Sequence, residues 1–101
     1  MEDIIITAMK NKKLLNLVYD GFRCIVEPYT IGETKYGKII LHCYQKDTDQ
    51  DNVLQTRWRT LDVSRIEEMD IMEHAFTARH DISEANDNKR ICKIIYDINI
   101  E

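Results

Sequence analysis

The sequence predicts a small, mainly β domain with one short helix at its N-terminal end, and three observations predict it. From Leu14 onward, apolar residues alternate with polar ones in several short segments, the period of half-buried strands. Tight-turn residues separate these segments, most clearly Asp20-Gly21. Only the opening stretch carries helical spacing, with acids at its start and lysines at its end.

That stretch, Glu2 to Lys13, places Ile4 or Ile5, Ala8 and Met9 on one side and ends in Lys10, Lys12 and Lys13. At Leu14 the period changes to two: Leu15, Leu17 and Tyr19 alternate with Asn16 and Val18. Asp20-Gly21 supplies the positive φ angles of a tight hairpin, so a second strand runs from Phe22 through Cys24 and Val26. Pro28 cannot donate to a ladder and marks a strand end or an edge. A second turn follows over Gly32 to Gly37. Lys38 to Lys46 then reads as a buried strand, apolar on both sides, with Ile39, Leu41 and Cys43 opposed to Ile40, His42 and Tyr44.

Residues 47–54 form a polar hairpin tip, and Gln55 to Val63 resumes the sheet. Ser64 to Met72 passes through a single turn into a strand containing Met69 and Ile71. A polar stretch, Arg79 to Arg90, precedes a last strand in which Ile94, Tyr96, Ile98 and Ile100 share a face. Five or more short antiparallel strands behind a leading helix suggest a small barrel of SH3-like or Sm-like kind, since closure removes exposed edges. The terminal strand either completes that sheet or pairs with a second molecule to make a dimer.

Composition narrows the function classes. A chain of 101 residues, 44% hydrophobic and 32% charged, fits one domain with a single core. The net charge of −4 argues against indiscriminate adhesion to DNA. Its distribution is uneven: residues 1–46 carry seven Lys/Arg against five Asp/Glu, whereas residues 47–101 carry seven against thirteen. A local basic patch is therefore compatible with an acidic body. Three cysteines without a CxxC pair, and a start lacking a secretory signal, point to the cytoplasm. No apolar run reaches the roughly 20 residues that cross a bilayer, so no membrane association is expected.

The histidines and cysteines lack the spacing of a structural zinc site. Asp47, Asp49 and Asp51 imitate the start of a calcium loop, but Asn52 and Trp58 stand where glycine and glutamate are needed. Ser64 has no flanking elbow glycines, and the three glycines form no phosphate loop. The expectation is a binding domain, not an enzyme, with no cofactor.

The order of elements carries a family likeness. Ala8 in the helix, Leu17-Val18-Tyr19, then Arg23 through Val26-Glu27-Pro28-Tyr29, Gly37, Leu41-His42-Cys43-Tyr44 and Trp58 to Ile66 together resemble the WYL domain. The likeness covers roughly residues 4–80 and is most specific over Arg59 to Ile66. It leaves a C-terminal extension, 81–101, with a strand at about 91–100. Where the family's Trp-Tyr-Leu falls, this chain has Ile39-Ile40-Leu41, keeping only the leucine.

The resemblance implies an SH3-like, Sm-like barrel that senses an anionic, nucleotide-like ligand or single-stranded nucleic acid, as in bacterial transcription regulators. Those regulators usually carry a helix-turn-helix ahead of the domain, and none precedes it here, so a stand-alone form or a fragment is expected. The residues expected to bind are Arg59 and Arg65, with Arg57 and Arg23 as further arms, because a guanidinium matches phosphate bidentately. Arg57 and Arg59 share a strand face, and Trp58 points the other way. Trp58 either stacks on a base, for roughly 1–3 kcal/mol, or fills the core; Tyr29, Tyr36 and Tyr44 face the same choice. The competing reading of the arginines is ordinary salt bridging to Asp62, Glu67, Glu68 or Asp70. The competing reading of the chain is a protein-interaction or oligomerisation module with no small-molecule ligand.

Overall fold

The computed structural model describes residues 1–48, 57–79 and 90–98. The chain opens with helix α1 (Glu2–Lys10), followed by β1 (Lys13–Tyr19), β2 (Phe22–Glu33), β3 (Ile39–Thr48) and β4 (Arg57–Asp62). A single 3-10 turn (Val63–Arg65) leads into β5 (Ile66–Ala75), and β6 (Lys93–Asp97) closes the described chain. The fold is thus mainly β, with one short helix in front, as the alternation predicts. β3 runs on through Thr48, two residues into the expected polar tip at residues 47–54; the rest of that tip, most of the polar stretch before β6 and Ile100 lie outside the described residues.

The helix stops three residues short of the expected Lys13. Lys12 takes a φ of 50° and the N–H groups of Asn11 and Lys12 bond back to Thr7 and Met9, which turns the chain into β1. Ile5, Ala8 and Met9 are the buried side of the helix.

All pairings are antiparallel, in the order β4-β3-β2-β1-β5, with β6 joined to β2 off that path. The hairpin between β1 and β2 has the geometry that Asp20-Gly21 predicts, with φ of 50° and 84° at its two corners. Leu15, Leu17, Tyr19, Cys24, Val26, Leu41, Cys43 and Leu61 form the heart of one core. Among the described residues no ladder joins β4 to β5. The end of β4 is instead tied to β1, since the Asp62 N–H donates to the Tyr19 hydroxyl at 3.0 Å.

Two expectations about β2 are corrected. Pro28 neither ends the strand nor sits on a sheet edge: β2 runs on to Glu33, and Pro28 pairs with Cys43 of β3. The ladder to β1 ends at Val26, the ladder to β6 begins at Thr30, and the β3 register shifts between Pro28 and Thr30. The missing N–H therefore falls at a bulge where one neighbour has left and the next has not arrived. Gly32 belongs to the strand and not to the turn, which is confined to residues 34–37.

Gly32 is needed for close approach. A Cβ there would lie 2.5 Å from Ile91 Cγ2 and 2.8 Å from the Lys93 carbonyl oxygen. The last strand consequently completes the sheet within the molecule, with its N-terminal residues pressed on bare backbone. Among the described residues no helix is long and apolar enough to cross a membrane.

Gly32→Ala is expected to lift β6 off β2. Overpacking of this kind costs about 1–3 kcal/mol, and hydrogen exchange should accelerate over residues 93–97 and 30–33. Unchanged exchange there would show that β6 does not rest on Gly32.

Candidate functional site

Residue parity on β4 separates two sets of side chains. Arg59 lies opposite Cys43 of β3, on the side of the core, while Trp58 lies opposite Tyr44 on the other side. The 3-10 turn after β4 is tied by Asp62, whose carboxylate accepts from both the N–H and the hydroxyl of Ser64 at 3.0 and 2.7 Å. The Ser64 hydroxyl, helped by Lys38 and opposed by partial burial, holds the Asp62 carboxyl below its usual range. The cap fixes where Arg65 leaves the turn.

Arg59 and Arg65 each stand against the Tyr19 ring. Their guanidinium carbons stand 5.5 and 5.7 Å from the centroid of buried Tyr19. Arg59 Nη1 donates to the Gln45 amide oxygen at 2.7 Å, and no carboxylate among the described residues lies within ion-pair distance of Arg59. Arg65 pairs with Asp20 of the hairpin turn at 2.7 Å, both side chains being about half exposed. An exposed pair of this kind contributes about 0–1 kcal/mol. Asp20 is thus an easily displaced partner for Arg65.

Of the other expected arms, only Arg23 has a described side chain. Arg23 is on the β1–β2 hairpin but engages Asn16 and Glu68, at 3.1 and 3.4 Å, as the salt-bridge reading expects. The side chain of Arg57 lies outside the described residues. Trp58 sits within an aromatic cluster, 4.8 Å from Tyr29, 5.1 Å from Tyr44 and 5.8 Å from His42 between ring centroids. It is a packing residue facing away from Arg59, so it supplies no stacking surface to the arginine pair. Tyr29 and Tyr44 are packed with it, whereas Tyr36 is 80% exposed.

Sequence reasoning missed the polar centre of that cluster. Glu27 is buried, and Arg79 forks onto it with Nε and Nη2 at 3.0 and 3.3 Å from the two carboxylate oxygens. The Tyr29 hydroxyl donates to the same carboxylate at 2.8 Å and accepts from the Arg79 N–H at 2.9 Å. The Arg79 guanidinium also lies 3.7 Å above the Tyr44 ring. Burial raises the Tyr29 phenol far above its usual range, with Glu27 adding to the effect. Burial works against the charged form of Arg79, but the hydrogen bonds and charge of Glu27 outweigh it and raise its pKa. This arrangement fastens residues 76–79 across the sheet, with Phe76 against Tyr29 at 5.6 Å.

Cys24 and Cys43 are buried and act as small apolar side chains; Cys92 is exposed. Burial, reinforced by Cys24 and opposed by Arg59, pushes the Cys43 thiol up and keeps it protonated. No family model, curated protein or solved structure matches the chain.

Glu27→Gln removes the charge that holds Arg79. Breaking a buried pair costs about 3–5 kcal/mol, and the one-third exposure of Arg79 reduces the expected loss to about 2 kcal/mol. Urea unfolding followed by Trp58 fluorescence measures it, and a loss below about 0.5 kcal/mol, the range of ordinary surface substitutions, would show that packing alone holds the strap.

Proposed function

We propose that the chain is a regulatory sensing domain of WYL type that binds an anionic, nucleotide-like ligand or single-stranded nucleic acid through Arg59 and Arg65. One observation carries the reading: two guanidinium groups from different elements lie against one tyrosine ring, and among the described residues only Arg65 has a carboxylate partner.

The chemistry favours phosphate over other anions. Two planar forks present several N–H donors, and the three terminal oxygens and double charge of a phosphate dianion match two guanidinium groups better than the two oxygens and single charge of a carboxylate. Asp20 occupies Arg65 in the meantime and is lost at little cost. Tyr19 positions the pair without touching the ligand, since its ring is buried and its hydroxyl accepts from Asp62. Arg23 is engaged by Glu68 and Trp58 packs against Tyr29 and Tyr44, so the proposal rests on Arg59 and Arg65. The rival reading, self-association through the last strand, draws less support because β6 is already paired with β2.

Titration with mononucleotides and short oligonucleotides, read by fluorescence anisotropy, tests the proposal. A charge-assisted hydrogen bond contributes about 1.5–3 kcal/mol, so Arg59→Ala with Arg65→Ala should weaken binding by about tenfold to a hundredfold or more. Asp20→Asn should do the opposite and tighten it, by removing the internal competitor for Arg65. A purely structural arginine pair gives neither effect, and unchanged affinity in the double variant would remove this site.

A further inference from the structure

The hairpin between β2 and β3 builds a second basic surface that the arginine pair does not use. Thr34 ties the turn: its N–H donates to the Lys38 carbonyl at 2.8 Å, and its hydroxyl accepts from the N–H groups of Tyr36 and Lys38 at 3.3 and 3.2 Å. Gly37 takes a φ of 83°, a left-handed corner that closes the loop. The turn thereby holds Lys35 and Tyr36 outward. On the opposite side, the Cys92 N–H donates to the Glu33 carbonyl at 2.8 Å and fixes the chain that carries Arg90.

Between these walls lies an open cleft of about 430 Å³, lined by Thr34, Lys35, Tyr36, Lys38, Arg90 and Cys92. That is within the size range of small-ligand sites, roughly 300–1,000 Å³. Of the six described residues that line it, three are cationic and none is acidic. Among the described residues, neither Lys35 nor Arg90 has a carboxylate within ion-pair distance, and Lys38 reaches only Asp62, at 3.5 Å, with its own side chain 64% exposed. Three cations gathered in a protein of net charge −4 set this cleft apart from the molecule as a whole. Tyr36 is the most exposed large hydrophobic side chain in the described structure; Lys35 lies over its ring at 5.1 Å.

We infer that this cleft is a second binding site, taking a phosphate-bearing aromatic compound of the nucleotide class, with the base on Tyr36 and the phosphate among Lys35, Lys38 and Arg90. The two halves of the cleft select that class together. Cations alone suit any anion, but the exposed ring adds a stacking surface that inorganic phosphate or an acidic side chain does not use. The site stands apart from the Arg59–Arg65 pair and exists whether or not that pair binds a ligand.

Residue-resolved NMR on the full chain tests it, with AMP, adenosine and inorganic phosphate as separate probes. AMP should shift the amides of Thr34 to Lys38 and Arg90 to Cys92, and bind more tightly than adenosine or phosphate. Tyr36→Ala should weaken AMP about tenfold, in keeping with loss of one stacked base, while leaving phosphate unchanged. Lys35→Ala with Arg90→Ala should weaken both AMP and phosphate. These side chains are exposed, so folding is preserved and circular dichroism confirms it. The site is overturned if AMP shifts none of these amides, if AMP and phosphate bind equally, or if Tyr36→Ala binds AMP as the native chain does. Shifts confined to residues 19–21 and 59–66 would overturn this cleft and leave the arginine pair standing.

Discussion

Everything in this fold hangs on one strand that changes its neighbour halfway along. β2 pairs with β3 over nearly its whole length, but on its other side it meets β1 up to Val26 and β6 from Thr30. The exchange is possible because Pro28 withholds an N–H where no ladder asks for one, and because the register shift beside it bends the strand. The bend lets a sheet without a β4–β5 ladder curl on itself. Tyr19 thus reaches Asp62, and a hairpin turn is brought beside the end of β4. Gly32 then admits β6 where a side chain would exclude it.

The curl has two chemical results on opposite sides of β4. On the core side, Arg59 and Arg65 come from a strand and from the turn behind it, and a buried ring holds both cations close. Each has one polar partner, the Gln45 amide oxygen for Arg59 and the Asp20 carboxylate for Arg65. Neither partner fills the donor capacity of a guanidinium. On the other side, Glu27 and Arg79 satisfy each other by a two-point fork, with Tyr29 and Tyr44 around them. That pair is closed and buried, and it fastens the strap. The contrast separates an arginine locked in a buried fork from two arginines with a single polar partner each among the described residues.

Local chemistry made much of the architecture legible. Alternation at Leu15, Leu17 and Tyr19, with Asp20-Gly21 behind it, specifies the first hairpin from neighbouring residues alone. The doubly apolar pattern of Ile39 to Tyr44 marks a strand buried on both faces, and β3 is the strand between β2 and β4. Parity placed Trp58 opposite Arg59, which the pairing with Tyr44 and Cys43 reproduces. What escaped depends on distant partners. Pro28 reads as an end because it lies between the end of the β1 ladder and the start of the β6 ladder, and β6 comes more than sixty residues later. Gly32 reads as a turn residue because its constraint is the carbonyl of Lys93. Glu27 and Arg79 are 52 residues apart and carry no local signal of their pairing. Arg23 shares a hairpin with Tyr19, yet its alternation with Cys24 sends it to the side where Glu68 waits.

The convergence of the two arginines on Tyr19 can be observed directly in solution. Nuclear Overhauser contacts from the Tyr19 ring protons to the side chains of both Arg59 and Arg65, with ring-current shifts that vanish in Tyr19→Leu, are the predicted result. Contacts to only one arginine, or to neither, would contradict the curled sheet as what brings the two arginines to one ring.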